Sequence, residues 1–262
     1  MIPSALEHVQ EIAGRSGRVA VFLDFDGTLT PIARHPENAC LADSMQQTVR
    51  ELAKRTSVAI LSGRDLDDVR RRVNIDAIVY GGCHGFDIAG PRGLHRQMAT
   101  EFLPDLDMAE KELHDVLGGI PGALVERKRF SIAAHYRNVN ENDAPKVERA
   151  VSEIAARHRK LRRLDGKKVC ELLPNVDWDK GKAVLWLLRA LDLESRSGGI
   201  RPIYIGDDST DEDAFRALEQ RGIGILVSEQ SQPTAAKYSL KNPVEVEYFL
   251  RALSAHLSPG KL

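Results

Sequence analysis

Asp24 and Asp26 stand two residues apart at the end of the apolar run Val21-Phe22-Leu23, and Gly27-Thr28 follows at once. In an extended segment residues i and i+2 point to the same side, so both carboxylates leave the run on one face. Past the strand end the backbone turns, which lets one carboxylate attack a substrate while the other handles protons. Two buried carboxylates repel each other and are costly without a cation. A divalent metal is the natural compensation, and hard oxygen donors favour Mg²⁺. A strand closed by an Asp-Gly turn would account for the same residues with no chemistry.

Three further stretches bear on that choice. Leu61-Ser62-Gly63-Arg64 ends a second apolar run. A Ser hydroxyl and backbone N–H groups at a strand end can hold a phosphate oxygen, and Ser62 can equally cap the helix that follows. Arg64 could pair with an anion or solvate that helix start. Asp179-Lys180-Gly181-Lys182 opens a helix. A phosphoryl group among carboxylates needs a fixed cation besides the metal. Lys180 suits that role because Gly181 permits close backbone approach, whereas Lys182 reads as a surface lysine. Gly206-Asp207-Asp208-Ser209-Thr210-Asp211-Glu212 follows a third apolar run. A capped acidic turn explains part of this cluster. A metal shared with Asp24 and Asp26 explains why it begins at a strand end.

These residues need a scaffold that brings distant strand ends together. Apolar runs at 19–23, 57–61, 77–80, 202–205 and 222–227 read as strands buried on both faces. Helical patterns at 44–55, 66–72, 180–191 and 211–220 interleave with them. The alternation predicts an α/β fold with a doubly wound parallel sheet, its ligands outside the carboxyl ends of the strands. The middle of the chain breaks the pattern. Helices at 105–117 and 144–159 and strands at 123–128, 130–137 and 169–173 imply a smaller inserted α+β domain. The expected division is 1–102 with 176–262 for the core and 103–175 for the insert, with Pro104 and Pro174 as breakers at its edges.

The four stretches, in this order, resemble the haloacid dehalogenase-like phosphatase superfamily, with the insert placed like that superfamily's α/β cap. A narrower resemblance, to the trehalose-6-phosphate phosphatases, rests on further residues. They are His84-Gly85, Glu126-Arg127-Lys128, the segment from Ser131 through His135 to Arg137, and Val169-Cys170-Glu171-Leu172-Leu173-Pro174. The resemblance implies Asp24 as nucleophile, Asp26 as acid and base, and Mg²⁺ on Asp24, Asp26 (through its carbonyl) and Asp207. Asp208 and Asp211 would orient groups around that ion or Lys180. Ser62 and Lys180 would hold phosphate, with Gly63, Arg64 and His84 beside them. Glu126, Lys128 and Glu171 would read sugar hydroxyls. His135 and Arg137 lie on the same stretch and alternate to one face of the strand with Ala133, which makes them further candidates beside a packed strand histidine and an exposed terminal charge. Relatives often carry a basic residue where Leu173 stands here.

Composition narrows the alternatives. Lys+Arg 37 against Asp+Glu 38 gives a net charge of -1 over 262 residues, so no global field draws the chain to nucleic acid or an anionic membrane. Cys40, Cys83 and Cys170 lack zinc or disulfide spacing and suit a reducing cytoplasm. Charged residues Glu7, Glu11 and Arg18 leave no signal-peptide pattern visible, and no apolar run reaches membrane-spanning length. The basic stretch 157–163 lacks interleaved aromatics and reads as a solvated helix end. The expected partner is a small sugar phosphate, and the chain is expected to be a monomer or weak oligomer. Rival readings are a phosphatase of the same superfamily acting on sucrose phosphate, mannosyl-phosphoglycerate or a monosaccharide phosphate, and a non-catalytic sugar-phosphate sensor.

Overall fold

A computed structural model describes residues 2–14, 18–33, 35–193 and 199–257. Helix α1 (Val9–Ala13) precedes strand β1 (Val19–Leu23). Next come α2 (Asp43–Ala53), β2 (Ser57–Leu61), α3 (Leu66–Val73), β3 (Val79–Gly82), β4 (Asp87–Ala89) and β5 (His95–Gln97). The middle holds α4 (Leu103–Leu117), β6 (Leu124–Lys128), β7 (Ser131–His135), α5 (Ala144–Arg157), β8 (Leu161–Gly166) and β9 (Val169–Pro174). Then follow α6 (Lys180–Ala190), β10 (Arg201–Gly206), α7 (Asp211–Leu218), β11 (Ile223–Val227), β12 (Tyr238–Leu240) and α8 (Pro243–His256). Two compact units result, Met1–His95 with Trp178–Leu262, and Arg96–Asp177. The first edge falls within β5, and Pro104 and Pro174 mark the start of α4 and the end of β9.

The first unit is built on an eight-stranded sheet of order β12-β11-β10-β1-β2-β3-β4-β5. The six strands from β12 to β3 run parallel, and β4 pairs antiparallel with β3. Alternation along β1 assigns its side chains to two layers. Val19, Val21 and Leu23 pack with α2, α3 and α8 through Val49, Leu52, Val69, Phe249 and Leu253. Ala20 and Phe22 face α6 and α7 through Val184, Leu187, Phe215 and Leu218. Both faces are covered, which is why β1 carries an unbroken apolar run.

The chain leaves β1 toward β2 on one side and returns to β10 on the other. That reversal makes the carboxyl ends of β1 and β10 a topological switch point, where loops part and leave a crevice. Register sets what lies there. Leu23 pairs with Ile205, and the Asp24 N–H donates to the Ile205 carbonyl at 2.9 Å. Asp24 is therefore level with Gly206, the last residue of β10, and Asp207 follows one step beyond.

The second unit is an antiparallel sheet of order β6-β7-β9-β8. Helices α4 and α5 cover one face, packing Leu106, Leu113, Val147, Val151 and Ile154 against Ile132, Ala134, Cys170 and Leu172. The residues between these, Glu126, Ala133 and Glu171, stand in register across three strands and share the other face.

Some expectations needed correction. The third strand lies at Val79–Gly82, two residues later than 77–80. Gly81 and Gly82, beyond the expected end, belong to the strand, and close neighbours leave room there only for glycine. A Cβ at Gly82 would stand 2.3 Å from the Leu66 amide nitrogen, and one at Gly81 2.4 Å from a Leu61 methyl. The stretch 157–163 is not a helix end. Helix α5 stops at Arg157 and β8 begins at Leu161. Three of its charges are paired, Arg157 to Glu112 at 2.7 Å, Lys160 to Asp105 at 3.1 Å and Arg163 to Asp165 at 2.6 Å. Among the described residues no helix is long and apolar enough to cross a membrane.

Phe22 is fully buried beneath the site-bearing end of β1. Phe22→Ala should cost about 3–5 kcal/mol, read as a lower urea midpoint for the first unit. An unchanged midpoint would contradict this packing.

Candidate active site

Asp24 follows β1 directly and is 5% exposed. Its Oδ1 accepts from the Lys180 ammonium at 2.6 Å, and the same ammonium donates to Asp211 Oδ1 at 2.8 Å. Asp24, Asp207 and Asp211 each place a carboxylate oxygen within 4.8 Å of the others. Residues 156 and more apart in sequence thus meet in one buried cluster. It holds three carboxylates against one ammonium.

Local sequence explains how each member arrives. The Asp179 side chain caps α6 by accepting the Lys182 N–H at 2.8 Å, which fixes Lys180 as the first helical residue. A Cβ at Gly181 would stand 2.4 Å from the Asp213 carbonyl oxygen, so glycine lets α6 lie tight against α7 and Lys180 reach Asp211. Gly27 has φ +89°, and a Cβ there would lie 2.2 Å from Asp207 Oδ2. Glycine is required at that position for both reasons. The Thr28 hydroxyl beside it is buried with no hydrogen-bond partner among the described residues.

Asp211 anchors the acidic loop. It is fully buried, and its Oδ2 accepts the Asp207 and Asp208 N–H groups at 3.0 and 2.9 Å. Its Oδ1 takes the Lys180 ammonium and the Tyr204 hydroxyl, the latter at 2.7 Å. Both oxygens are committed to orienting neighbours. Asp208 is half-buried and accepts the Ser209 N–H at 2.8 Å. Lys182 lies near the surface, 3.5 Å from Asp179.

Asp26 has a different setting. Arg64 grips it with two nitrogens, Nε to Oδ2 at 2.7 Å and Nη2 to Oδ1 at 2.8 Å. The same guanidinium donates to Asp68 and to the Pro36 carbonyl, both at 2.8 Å. Arg64 is thus held by protein groups rather than presented to a ligand. Ser62 does not cap α3; Asp65 does, accepting the Asp67 N–H at 3.2 Å. The Ser62 hydroxyl accepts the Arg64 N–H at 3.1 Å, and the Ser62 carbonyl accepts the His84 N–H at 2.8 Å. Cys83 and His84 have φ 47° and 59°, a left-handed pair that costs energy and folds the His84 ring over Gly63. A Cβ at residue 63 would stand 2.8 Å from that ring.

Electrostatics follow from burial. Desolvation pushes the Asp24 carboxyl well above the usual carboxylate range; Lys180 opposes it, while Asp211 and Asp207 add to it. Burial alone would lower the Lys180 ammonium, but Asp211 and Asp24 outweigh it and hold lysine well above its ordinary value. The donor set fits a divalent cation: all-oxygen, buried and rich in negative charge.

The second unit carries its own cluster on the helix-free face. Glu171 is buried and accepts from Lys128 Nζ at 2.7 Å and from the Ser131 hydroxyl at 2.6 Å. His135 Nε2 and Glu126 Oε2 lie 2.7 Å apart. Burial would raise the Glu126 carboxyl, but the His135 hydrogen bond and the Lys128 charge pull it below its ordinary value. Arg137 does not join them. It lies exposed beyond β7 with its guanidinium on the Lys167 carbonyl. Sequence reading missed Tyr204, Asp68 and Ser131 as parts of these networks. A tyrosine inside a continuously apolar strand was the available signal, because a buried hydroxyl needs a partner.

The raised Asp24 carboxyl has a stability consequence. A group that binds its proton more tightly folded than unfolded loses stability as pH rises from the unfolded toward the folded pKa. Asp24→Asn, which does not titrate, should raise the melting temperature near neutral pH in chelator by about 2–4 °C. A fall of similar size would contradict the excess of buried negative charge.

Comparison with known proteins agrees with this architecture. The trehalose-phosphatase family profile matches residues 22–244. A probable trehalose-phosphate phosphatase 4 of Oryza sativa subsp. japonica is 42% identical over 259 residues, covering 96% of this chain and 70% of that protein. A trehalose-phosphate phosphatase of Mycobacterium ulcerans (strain Agy99) is 42% identical over 263 residues, covering 98% of this chain and 67% of that protein. Among solved structures, a trehalose-6-phosphate phosphatase related protein aligns with TM-score 0.77 at 25% identity, covering 90% of this chain and 97% of that one. The C-terminal domain of C. albicans trehalose-6-phosphate phosphatase shares the fold, with TM-score 0.83 at 22% identity over 98% of this chain and 100% of that one. A haloacid dehalogenase-like hydrolase from Bacteroides thetaiotaomicron also shares the fold, at TM-score 0.64, 16% identity and coverage of 89% and 99%. With its profile match spanning most of the sequence and its acidic cluster at the switch point of a haloacid dehalogenase-like core, this chain belongs to the trehalose-phosphatase family, which makes it a phosphoric monoester hydrolase.

Proposed function

We propose that the chain hydrolyses trehalose 6-phosphate to trehalose and inorganic phosphate through a phosphorylated Asp24, with Mg²⁺ as cofactor. The observation that carries this reading is the buried meeting of Asp24, Asp207 and Asp211 around Lys180. A non-catalytic sensor has no use for a nucleophile held beside a fixed ammonium.

An Asp24 carboxylate oxygen attacks phosphorus as the bond to the sugar oxygen breaks. Asp26 gives its proton to that leaving oxygen, then takes one from the water that attacks the aspartyl phosphate. Hydrolysis returns the Asp24 carboxylate and releases phosphate. Lys180 steadies the negative charge on Asp24 and on the transferring group. Asp211 keeps Lys180 in place from behind. Asp24, Asp207 and the Asp26 carbonyl would hold Mg²⁺. When bound, the ion neutralises charge on the phosphoryl oxygens. Ser62 and its neighbouring N–H groups are suited to a phosphate oxygen. Arg64 holds both oxygens of the Asp26 carboxylate in this structure, so Asp26 has to leave that pair before it takes up the proton it delivers.

The second unit would read the sugar. Glu126, Lys128, His135 and Glu171 offer both donors and acceptors on one face, as a polyhydroxylated ligand requires.

Phosphate release from trehalose 6-phosphate should exceed that from sucrose 6-phosphate and glucose 6-phosphate, and chelator should abolish it. A clear preference for either of the latter would redirect the assignment. Asp24→Asn should lose at least about 1000-fold in kcat with the fold intact by circular dichroism; near-normal release would remove Asp24 as nucleophile. Glu171→Ala should lose most turnover of trehalose 6-phosphate yet keep turnover of an aryl phosphate. Equal losses on both would mean Glu171 reads no sugar.

A further inference from the structure

We infer that Tyr204 is a positioning residue for phosphoryl transfer, its hydroxyl fixing Asp211 in the orientation that seats the Lys180 ammonium on Asp24. The inference rests on the phosphatase reading above and deepens it.

Tyr204 lies on β10 and is fully buried. Its ring packs edge-on against Phe215 of α7, with centroids 5.8 Å apart at 78°. Phenylalanine would fill that space equally well, so packing does not require the hydroxyl. The hydroxyl donates to Asp211 Oδ1 at 2.7 Å, and Lys180 donates to the same oxygen at 2.8 Å. The other oxygen takes the Asp207 and Asp208 N–H groups. Four donors therefore fix both oxygens and the plane of the carboxylate. Lys180 continues from there to Asp24 at 2.6 Å.

The chain of contacts has a direction. Tyr204 is closed off from solvent, and its hydroxyl reaches the site through its bond to Asp211. Without the hydroxyl, Asp211 Oδ1 keeps only its bond to Lys180. The carboxylate can then twist about its remaining amide contacts, and Lys180 follows it. The ammonium would lose its fixed place beside Asp24, and preorganised placement is what gives such a charge its catalytic value. Binding of the sugar does not depend on this chain of contacts, so the loss should appear in the chemical step.

Tyr204→Phe tests the inference directly, because it removes one oxygen and keeps the ring. It should lower kcat about tenfold on both trehalose 6-phosphate and an aryl phosphate, the rate equivalent of one hydrogen bond to a charged group. KM should stay within about twofold on each, and the melting temperature within a few degrees. In a Lys180→Arg background the same change should cost nothing further, because the residue it serves is already displaced. Unchanged kcat with a lowered melting temperature would reduce Tyr204 to a structural role and overturn the inference. Additive losses in the Lys180→Arg background would overturn it too. Wild-type turnover of the aryl phosphate without turnover of trehalose 6-phosphate would sink the substrate reading while leaving the Tyr204 comparison intact. A wild-type chain inert toward both would remove the phosphatase reading and this inference together.

Discussion

Three carboxylates buried around a single ammonium form the constraint on which the rest of the structure depends. Like charges this close, removed from water, cost several kcal/mol unless a cation compensates them. Lys180 compensates part of the charge and is held by Asp24 and Asp211 together. The remainder is what a divalent ion and a phosphoryl group would share. A fold seeking stability alone would not collect these groups at one strand end, and such local cost is characteristic of sites built for chemistry.

Much of the first unit follows from accommodating that cluster. Parallel pairing of β1 with β10 brings Asp24 level with Gly206, and Asp207 one step beyond it closes on the Asp24 carboxylate. Gly27 and Gly206 leave room where any side chain would strike Asp207 or Asp211. The Asp179 cap and the close α6–α7 contact at Gly181 deliver Lys180 from a third direction. Apolar layers on both sheet faces supply the rigidity that keeps these positions. In the second unit, helices occupy one face of the sheet, and polar groups collect on the other, where Glu171, Lys128 and Ser131 satisfy one another. Lys128 cancels the Glu171 charge there, whereas around Asp24 three carboxylates share one ammonium. Pairs of that kind can exchange partners with hydroxyl groups of a ligand without stranding a charge.

The sequence carried a good deal of this. The continuous apolar runs of β1 and β2 fixed their strands to the residue, because burial on both faces leaves one hydrophobicity signal. Convergence of Asp24 with Asp207 then followed from the β-α-β order. What stayed hidden has common causes. Strand β8 carries Arg162 and Arg163, and charged side chains satisfied by ion pairs mask a strand's periodicity. The grip of Arg64 on Asp26 joins residues 38 positions apart through side-chain geometry that no spacing encodes. Tyr204 looked like core because its ring is core; only its oxygen belongs to the site. Arg137 was grouped with His135 by strand alternation, but β7 ends at His135 and the alternation ends with it.

A crystal grown in Mn²⁺ and read by anomalous scattering tests the central claim most directly. The account predicts one strong peak between the Asp24 and Asp207 carboxylates, with Lys180 still against Asp24 and Asp211. Anomalous density confined to other surface carboxylates, with the Asp24–Asp207 gap empty at saturating ion, would contradict it.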